Sequence, residues 1–179
     1  MSVTPFKKYD EATDTLDLPY NYNSEETKSL NEAANGNSQV HLDLLRRIAL
    51  WKLDRVLDVP DKTIQQLRTI AKKDDLRVDS AQSRSLIGEL IDCPGIGLPM
   101  ASTILKFLRP DLFPIIDVRA CRALYGRKVY FNQYSVQRNV EFYINYAADV
   151  HRISQNLKRL LRDIDEQLYE FDTLRNGTI

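Results

Sequence analysis

Two apolar helical runs, Leu86 to Ile91 and Ala101 to Leu108, are separated by nine residues, and the turn proper is "CPGIG", Cys93 to Gly97. A reversal that tight needs backbone conformations that glycine reaches without a Cβ penalty, and Gly95 and Gly97 supply two. The turn also leaves the first amides of the following helix, Gly97 to Met100, without helical partners. With the helix dipole they form an anion seat that suits a nucleic-acid phosphate. An ordinary corner between two helices uses the same residues, so the turn by itself leaves both readings open.

The surrounding pattern is helical throughout. Ser38 reads as an N-cap, with Val40, Leu44, Ile48 and Trp51 at helical spacing after it. Pro60 opens a second helix, with Ile64, Leu67 and Ala71 on one face. Leu86, Ile87, Leu90 and Ile91 form a third run that ends at Pro94-Gly95, and Ala101, Ile104, Leu105 and Leu108 a fourth that Pro110 stops. A short helix capped by Asp117 ends near Gly126. Val136, Val140, Tyr143, Ala147 and Val150 then step by four, three, four and three residues, an amphipathic helix of about four turns. A last helix takes in Leu157, Leu161, Ile164, Leu168 and Phe171. No segment of comparable length alternates with period two, so the expected fold class is all-α.

The first 37 residues differ. "NYNSEETKSLNEAANGNSQ" is polar, Asn-rich and short of branched apolar side chains, and reads as an extended or mobile arm ahead of a single helical domain over 38–179. Charge is just as unevenly spread. The net charge is zero, yet residues 1–40 hold 3 basic and 7 acidic side chains, residues 101–162 hold 11 and 4, and residues 163–179 hold 1 and 5. A basic middle of this kind attracts a polyanion even when the total cancels, and it also solvates helix faces. The start, "MSVTPFKKYDEATD", lacks the apolar core of a secretory signal, and no run approaches a membrane span, so a cytoplasmic location without a membrane partner is expected. Cys93 and Cys121 are the only cysteines and cannot supply four thiolates to a metal or iron–sulfur cluster. His41 and His151 stand alone without ligand spacing, so no metal site is expected.

"LIDCPGIGLPMASTIL" resembles a helix-hairpin-helix motif: an apolar residue, Pro-Gly-apolar-Gly, then a helix rich in small residues. Asp117 in "FPIIDVRA", 18 residues beyond Pro99, makes the resemblance more specific. The helix-hairpin-helix DNA glycosylases have an essential aspartate at a similar place, after an extended apolar stretch and opening the next helix. Together the two features cover Leu86 to Gly126, about a quarter of the chain. The resemblance implies a compact helical fold, DNA as partner, Asp117 as the catalytic carboxylate and Pro94, Gly95, Ile96, Gly97, Leu98, Pro99 and Met100 as the DNA-gripping hairpin. It also allows a monovalent cation on the hairpin carbonyls, with no redox cofactor.

The chain departs from that pattern in three ways. Glycosylases that also cut the backbone carry a lysine two residues after the second hairpin glycine, where this chain has Pro99. Without an amine no Schiff base forms with an abasic sugar, so only a monofunctional activity is expected. Lys106 lies two turns (~10.5 Å) along the same helix and is a poor substitute. The four-cysteine cluster of several relatives is missing, and the chain is short for an enzyme of that kind.

Asp117 has two readings. As a catalyst it would stabilise the oxocarbenium-like transition state of N-glycosidic hydrolysis and orient the attacking water. As an N-cap it needs only to accept an amide two or three residues on. Arg119, Arg122, Arg127 and Lys128 follow closely, and "GRKVYFNQYSVQR" interleaves cations with aromatics, as phosphate contact with base stacking requires. Tyr125, Tyr130, Phe131, Tyr134 and Trp51 are candidates to line a base pocket, or else they pack between helices. The function expected is therefore DNA binding with monofunctional glycosylase chemistry. The alternatives are a non-catalytic helix-hairpin-helix DNA-binding module and a protein interaction domain that kept only the fold.

Overall fold

A computed structural model describes residues 24–35, 41–53 and 56–177. Among the described residues there are eight α-helices and no strand. The chain divides into two units, Met1–Val56 and Leu57–Ile179. The boundary falls at residue 56, so the helix after His41 belongs to the first unit. Ser38 and Val40 lie outside the described residues, as do residues 1–23 of the expected arm.

The first unit contributes α1 (Ser24–Asn35) and α2 (Leu42–Lys52). Helix α1 lies within the stretch read from the sequence as an extended or mobile arm. Its Glu, Lys, Leu and Ala residues favour helix, and long-range bonds fasten it to α2. Arg47 donates through Nε and Nη2 to the two Glu26 oxygens (3.0 and 2.9 Å) and to Ser29 Oγ (2.9 Å). Trp51 Nε1 donates to Thr27 Oγ1 (2.8 Å), which places this aromatic in the helix pair. His41 caps α2, its Nδ1 accepting from the Leu44 amide (3.3 Å).

The second unit holds α3 (Asp61–Ile70), α4 (Ala81–Asp92), α5 (Leu98–Leu108), α6 (Val118–Tyr125), α7 (Val136–Leu157) and α8 (Leu161–Asn176). Helices α4 and α5 pack against each other and against α3, α7 lies on α4, and α8 packs on both α6 and α7. The core they enclose is led by Leu86, Leu90, Ala101, Leu105, Phe113, Ile116, Tyr143 and Val150, all but fully buried. Thr63 and Ile70 are the buried residues of α3, whereas the expected inward face of Ile64, Leu67 and Ala71 is only half buried.

Helix α7 is longer than its apolar spacing indicated and takes in Leu157, which the sequence assigned to the last helix. The break comes at Lys158, held in the left-handed region at φ 51° with its amide on the carbonyls of Ser154 and Gln155. Gly126 takes the same conformation at φ 68°, where glycine carries no Cβ penalty, and ends α6 where expected.

Candidate functional site

The Cys93–Gly97 turn alternates between core and surface. Ile96 (4%) and Leu98 (1%) plug the interior, while Pro94, Gly95 and Gly97 are exposed. Gly95 sits at φ 79°, a conformation that any Cβ would strain. Gly97 is different: at φ −92° any residue fits, and an added Cβ would meet nothing nearer than Pro99 Cδ at 3.9 Å. Gly97 stands at the N-cap of α5 with no side-chain cap, and its carbonyl accepts from Ala101 (2.9 Å). The Leu98 and Met100 amides therefore have no helical partner, and Pro99 between them has no N–H. The Cys93 and Pro94 carbonyls accept from the Ile96 (3.1 Å) and Asp58 (3.4 Å) amides.

Beyond α5 the chain crosses the core as an extended strap, Phe113 to Asp117, with no strand beside it. Side chains from three helices answer its backbone. Tyr143 and Tyr146 of α7 donate their hydroxyls to the Pro114 and Ile115 carbonyls (2.9 and 2.7 Å). Asp165 of α8 accepts from the Ile115 amide (2.8 Å), and Ser102 of α5 accepts from the Ile116 amide (3.1 Å) while donating to the Pro99 carbonyl (2.8 Å). Asp165 is 4% exposed, and burial pushes its carboxyl upward against the Ile115 amide and Lys106. Lys106 is committed here too, with Nζ at 2.8 Å from Glu166 and 3.4 Å from Asp165. Burial pulls its amine down, but those carboxylates outweigh burial and the net shift is upward.

The strap delivers Asp117 to the N-cap of α6, where Oδ1 accepts from the Ala120 amide (2.7 Å). Among the described residues Oδ2 has no donor. Asp117 lines a cleft of about 430 Å³ shared with Asp165, Glu166, Tyr169 and Glu170 of α8. The turn borders a different cavity. Gly97, Leu98 and Pro99, together with Val118, Tyr130, Phe131, Tyr134 and Asn139, enclose about 530 Å³ that Asp117 does not line. The two halves of the motif thus face separate spaces on either side of the start of α6.

The cations divide the same way. Arg122 donates through Nε and Nη2 to the two oxygens of Asp172 (2.6 and 2.7 Å), and Arg119 Nη1 joins them at 3.2 Å. Both arginines also donate to the Gly177 carbonyl (2.9 and 3.1 Å). Asp172 is fully buried, and Arg122 above all holds its carboxyl down to about 2. This pair locks α8 onto α6 and leaves little of either guanidinium for a phosphate. Arg127 and Lys128, by contrast, are exposed with no ion pair among the described residues, and they lead into Val129 and Tyr130 of the cavity wall. Arg138, exposed on α7, stands over the Tyr134 ring at 4.5 Å. Tyr125 turns away, its hydroxyl donating to Asp149 (3.1 Å).

Sequence reasoning missed Asn139 and the four side chains that pin the strap. Asn139 and Ser102 each occupy an inward position of an otherwise apolar stripe, beside Val140 and Ala101, and that is the signal that could have marked them. The remaining candidates have structural duties. His151 Nε2 lies 2.9 Å from the Leu112 carbonyl, and both cysteines are buried and free. Among the described residues no group of His, Cys, Asp and Glu is placed to hold a metal ion, and no helix is long and apolar enough to cross a membrane. No protein family, curated protein or solved structure matches the chain.

Proposed function

We propose that the protein binds DNA with the Cys93–Gly97 turn, in the manner of the helix-hairpin-helix motif it resembles. The observation that carries this reading is the exposed face of Pro94, Gly95 and Gly97 at the uncapped start of α5, bordering an aromatic cavity whose wall residues Val129 and Tyr130 directly follow Arg127 and Lys128, both exposed and without an ion pair among the described residues. Amides and helix dipole receive a phosphate, and the cations add charge along the strand. Gly97 supports it further, because the fold does not need a glycine there, whereas close approach of a phosphate does.

The test is DNA affinity against salt. Each phosphate contact adds about 0.9 to the slope of log K on log salt for a duplex. Arg127→Ala and Lys128→Ala should each flatten it by roughly one contact. No binding at low salt, or slopes unchanged in both variants, would sink the proposal.

A second reading adds chemistry, and the unpaired Oδ2 of Asp117 favours it. In that reading Asp117 hydrolyses an N-glycosidic bond, Oδ1 holding the cap while Oδ2 faces the positive charge of the transition state. Pro99 leaves no amine for lyase chemistry. Asp165, Glu166 and Glu170 in the same cleft repel a phosphate, so the strand approaches from the turn and not across α8. Single-turnover assays on duplexes with damaged or modified bases test this reading. Asp117→Asn is the right variant, because asparagine caps a helix as well as aspartate and the fold should survive. Absence of base release, or release unaffected by Asp117→Asn, removes the chemistry and leaves a DNA-binding module.

A further inference from the structure

Helices α3 and α5 leave an apolar groove of about 740 Å³ open between them. Ile64, Leu67 and Ala71 form one side, and Ile104, Phe107 and Leu108 the other. All but Phe107 stand on the stripes that the helical spacing directs inward, yet none of them is buried. Phe107 is 82% exposed, and Leu108 beside it 36%. Large apolar side chains left open side by side mark a surface that another molecule covers. Charge tells more about the cover. Arg68 and Lys72, one turn apart on α3, also line the groove. Both are exposed, and neither makes an ion pair among the described residues. No carboxylate among the described residues lines it.

An apolar trough edged by unanswered cations calls for an apolar stripe edged by carboxylates. Both walls are helices, whose backbone groups bond within themselves, so an extended strand would find no edge to pair with. A helix instead presents apolar side chains at i, i+4 and i+7 in one row of about 10.5 Å, the same rise that separates Ile64 from Ala71. We infer that this groove docks an acidic amphipathic helix of another protein, its apolar stripe against Phe107 and its carboxylates against Arg68 and Lys72. A second copy of this chain fits less well, because a two-fold pairing through the groove brings the same cationic edges together. DNA offers phosphates to the cations but nothing to the apolar walls. The groove begins at Thr103, past the first turn of α5, and borders neither the Cys93–Gly97 turn nor Asp117. The inference therefore stands apart from the DNA-binding reading.

The experiment uses the full chain and a fluorescein-labelled helical peptide with leucines at i, i+4, i+7 and i+11 and glutamates on both flanks. Two control peptides replace every glutamate by lysine or every leucine by serine. Affinity is measured by fluorescence anisotropy at about 0.1 M salt, where exposed charges still act over about 10 Å. The glutamate peptide should bind about tenfold tighter than the lysine peptide, and the serine peptide should not bind. Phe107→Gln keeps a good helix former at an exposed site and should weaken the glutamate peptide about tenfold. Arg68→Glu combined with Lys72→Glu should reverse the preference, so that the lysine peptide binds tighter. Amide resonances that move on binding should fall at residues 64–72 and 103–108. Equal binding of the two charged peptides, no binding of the glutamate peptide, undiminished binding in Phe107→Gln, or shifts confined elsewhere would each overturn the inference. A dimer in sedimentation velocity that Phe107→Gln dissolves would make a second copy the occupant. A DNA duplex that displaces the peptide would make it a nucleic acid, and either result also overturns the acidic helix.

Discussion

Ser102→Ala tests whether the strap that carries Asp117 is held by side chains. Ser102 is 1% exposed, and truncation removes both of its hydrogen bonds. The two losses are unequal. The Pro99 carbonyl also accepts from Thr103 Oγ1 (2.8 Å) and keeps that partner. The Ile116 amide, on a residue with no exposed surface, has no other acceptor among the described residues. A buried donor left unmet costs about 1–3 kcal/mol. Taking roughly 2 kcal/mol and an m-value near 2 kcal/mol/M, the urea midpoint should fall by about 1 M with m unchanged. Thr103→Val is the control: it takes a second donor from Pro99 and orphans nothing buried, so it should cost about 0.5 kcal/mol or less. Hydrogen exchange at the Ile116 amide should also quicken in Ser102→Ala. The reasoning fails if Ser102→Ala unfolds with the wild type, or if Thr103→Val costs as much.

Asp172 supplies a pH dependence. Its carboxyl is held at about 2 against an ordinary 3.8, so its contribution to stability is complete above 3.8 and drains away as pH falls toward 2. Acid unfolding of Asp172→Asn should be shallower across that window, and equal slopes would refute the assignment. Burial pushes the Cys121 thiol from 9.0 up to about 12, and Cys93 moves the same way. At pH 8 the native protein should therefore leave a disulfide reagent untouched until denaturant releases both thiols, and prompt reaction would contradict their burial. Gly95→Ala, at φ 79°, should cost about 1–2 kcal/mol in thermal or urea unfolding. Gly97→Ala should stay within about 0.5 kcal/mol, so any loss of DNA affinity there reports a contact and not the fold.

Local signals carried most of what the sequence revealed. Asp117 caps the helix that it opens, and Gly126 ends it, because each acts on residues three or four away. The turn likewise spans five adjacent residues, and its positive φ falls on Gly95. What stayed hidden depended on partners far along the chain. Arg119 and Arg122 look like phosphate contacts until Asp172, 50 residues beyond Arg122, takes them up. Polar composition disguised α1, whose order comes from Arg47 and Trp51 on the next helix. The separation of Asp117 from the turn's cavity was out of reach for the same reason. Val118, the very next residue, borders the turn's cavity, whose walls also come from the turn and from residues 129–139, while α8 supplies most of the wall of the Asp117 cleft.

The strap's dependence on α8 sets an order of events during synthesis. The turn and both helices that flank it are complete once residue 108 has emerged, and nothing they require from each other lies further on. Asp117 follows soon after, yet the Asp165 carboxylate that fixes the neighbouring Ile115 amide is made 50 residues later. Until then the core carries an unanswered amide where its candidate carboxylate is to be presented. A nascent or truncated chain lacking α8 would therefore have the Cys93–Gly97 turn without a settled carboxylate. On the proposed reading, DNA binding should precede any hydrolytic competence in time, and a stop introduced before residue 165 should separate the two.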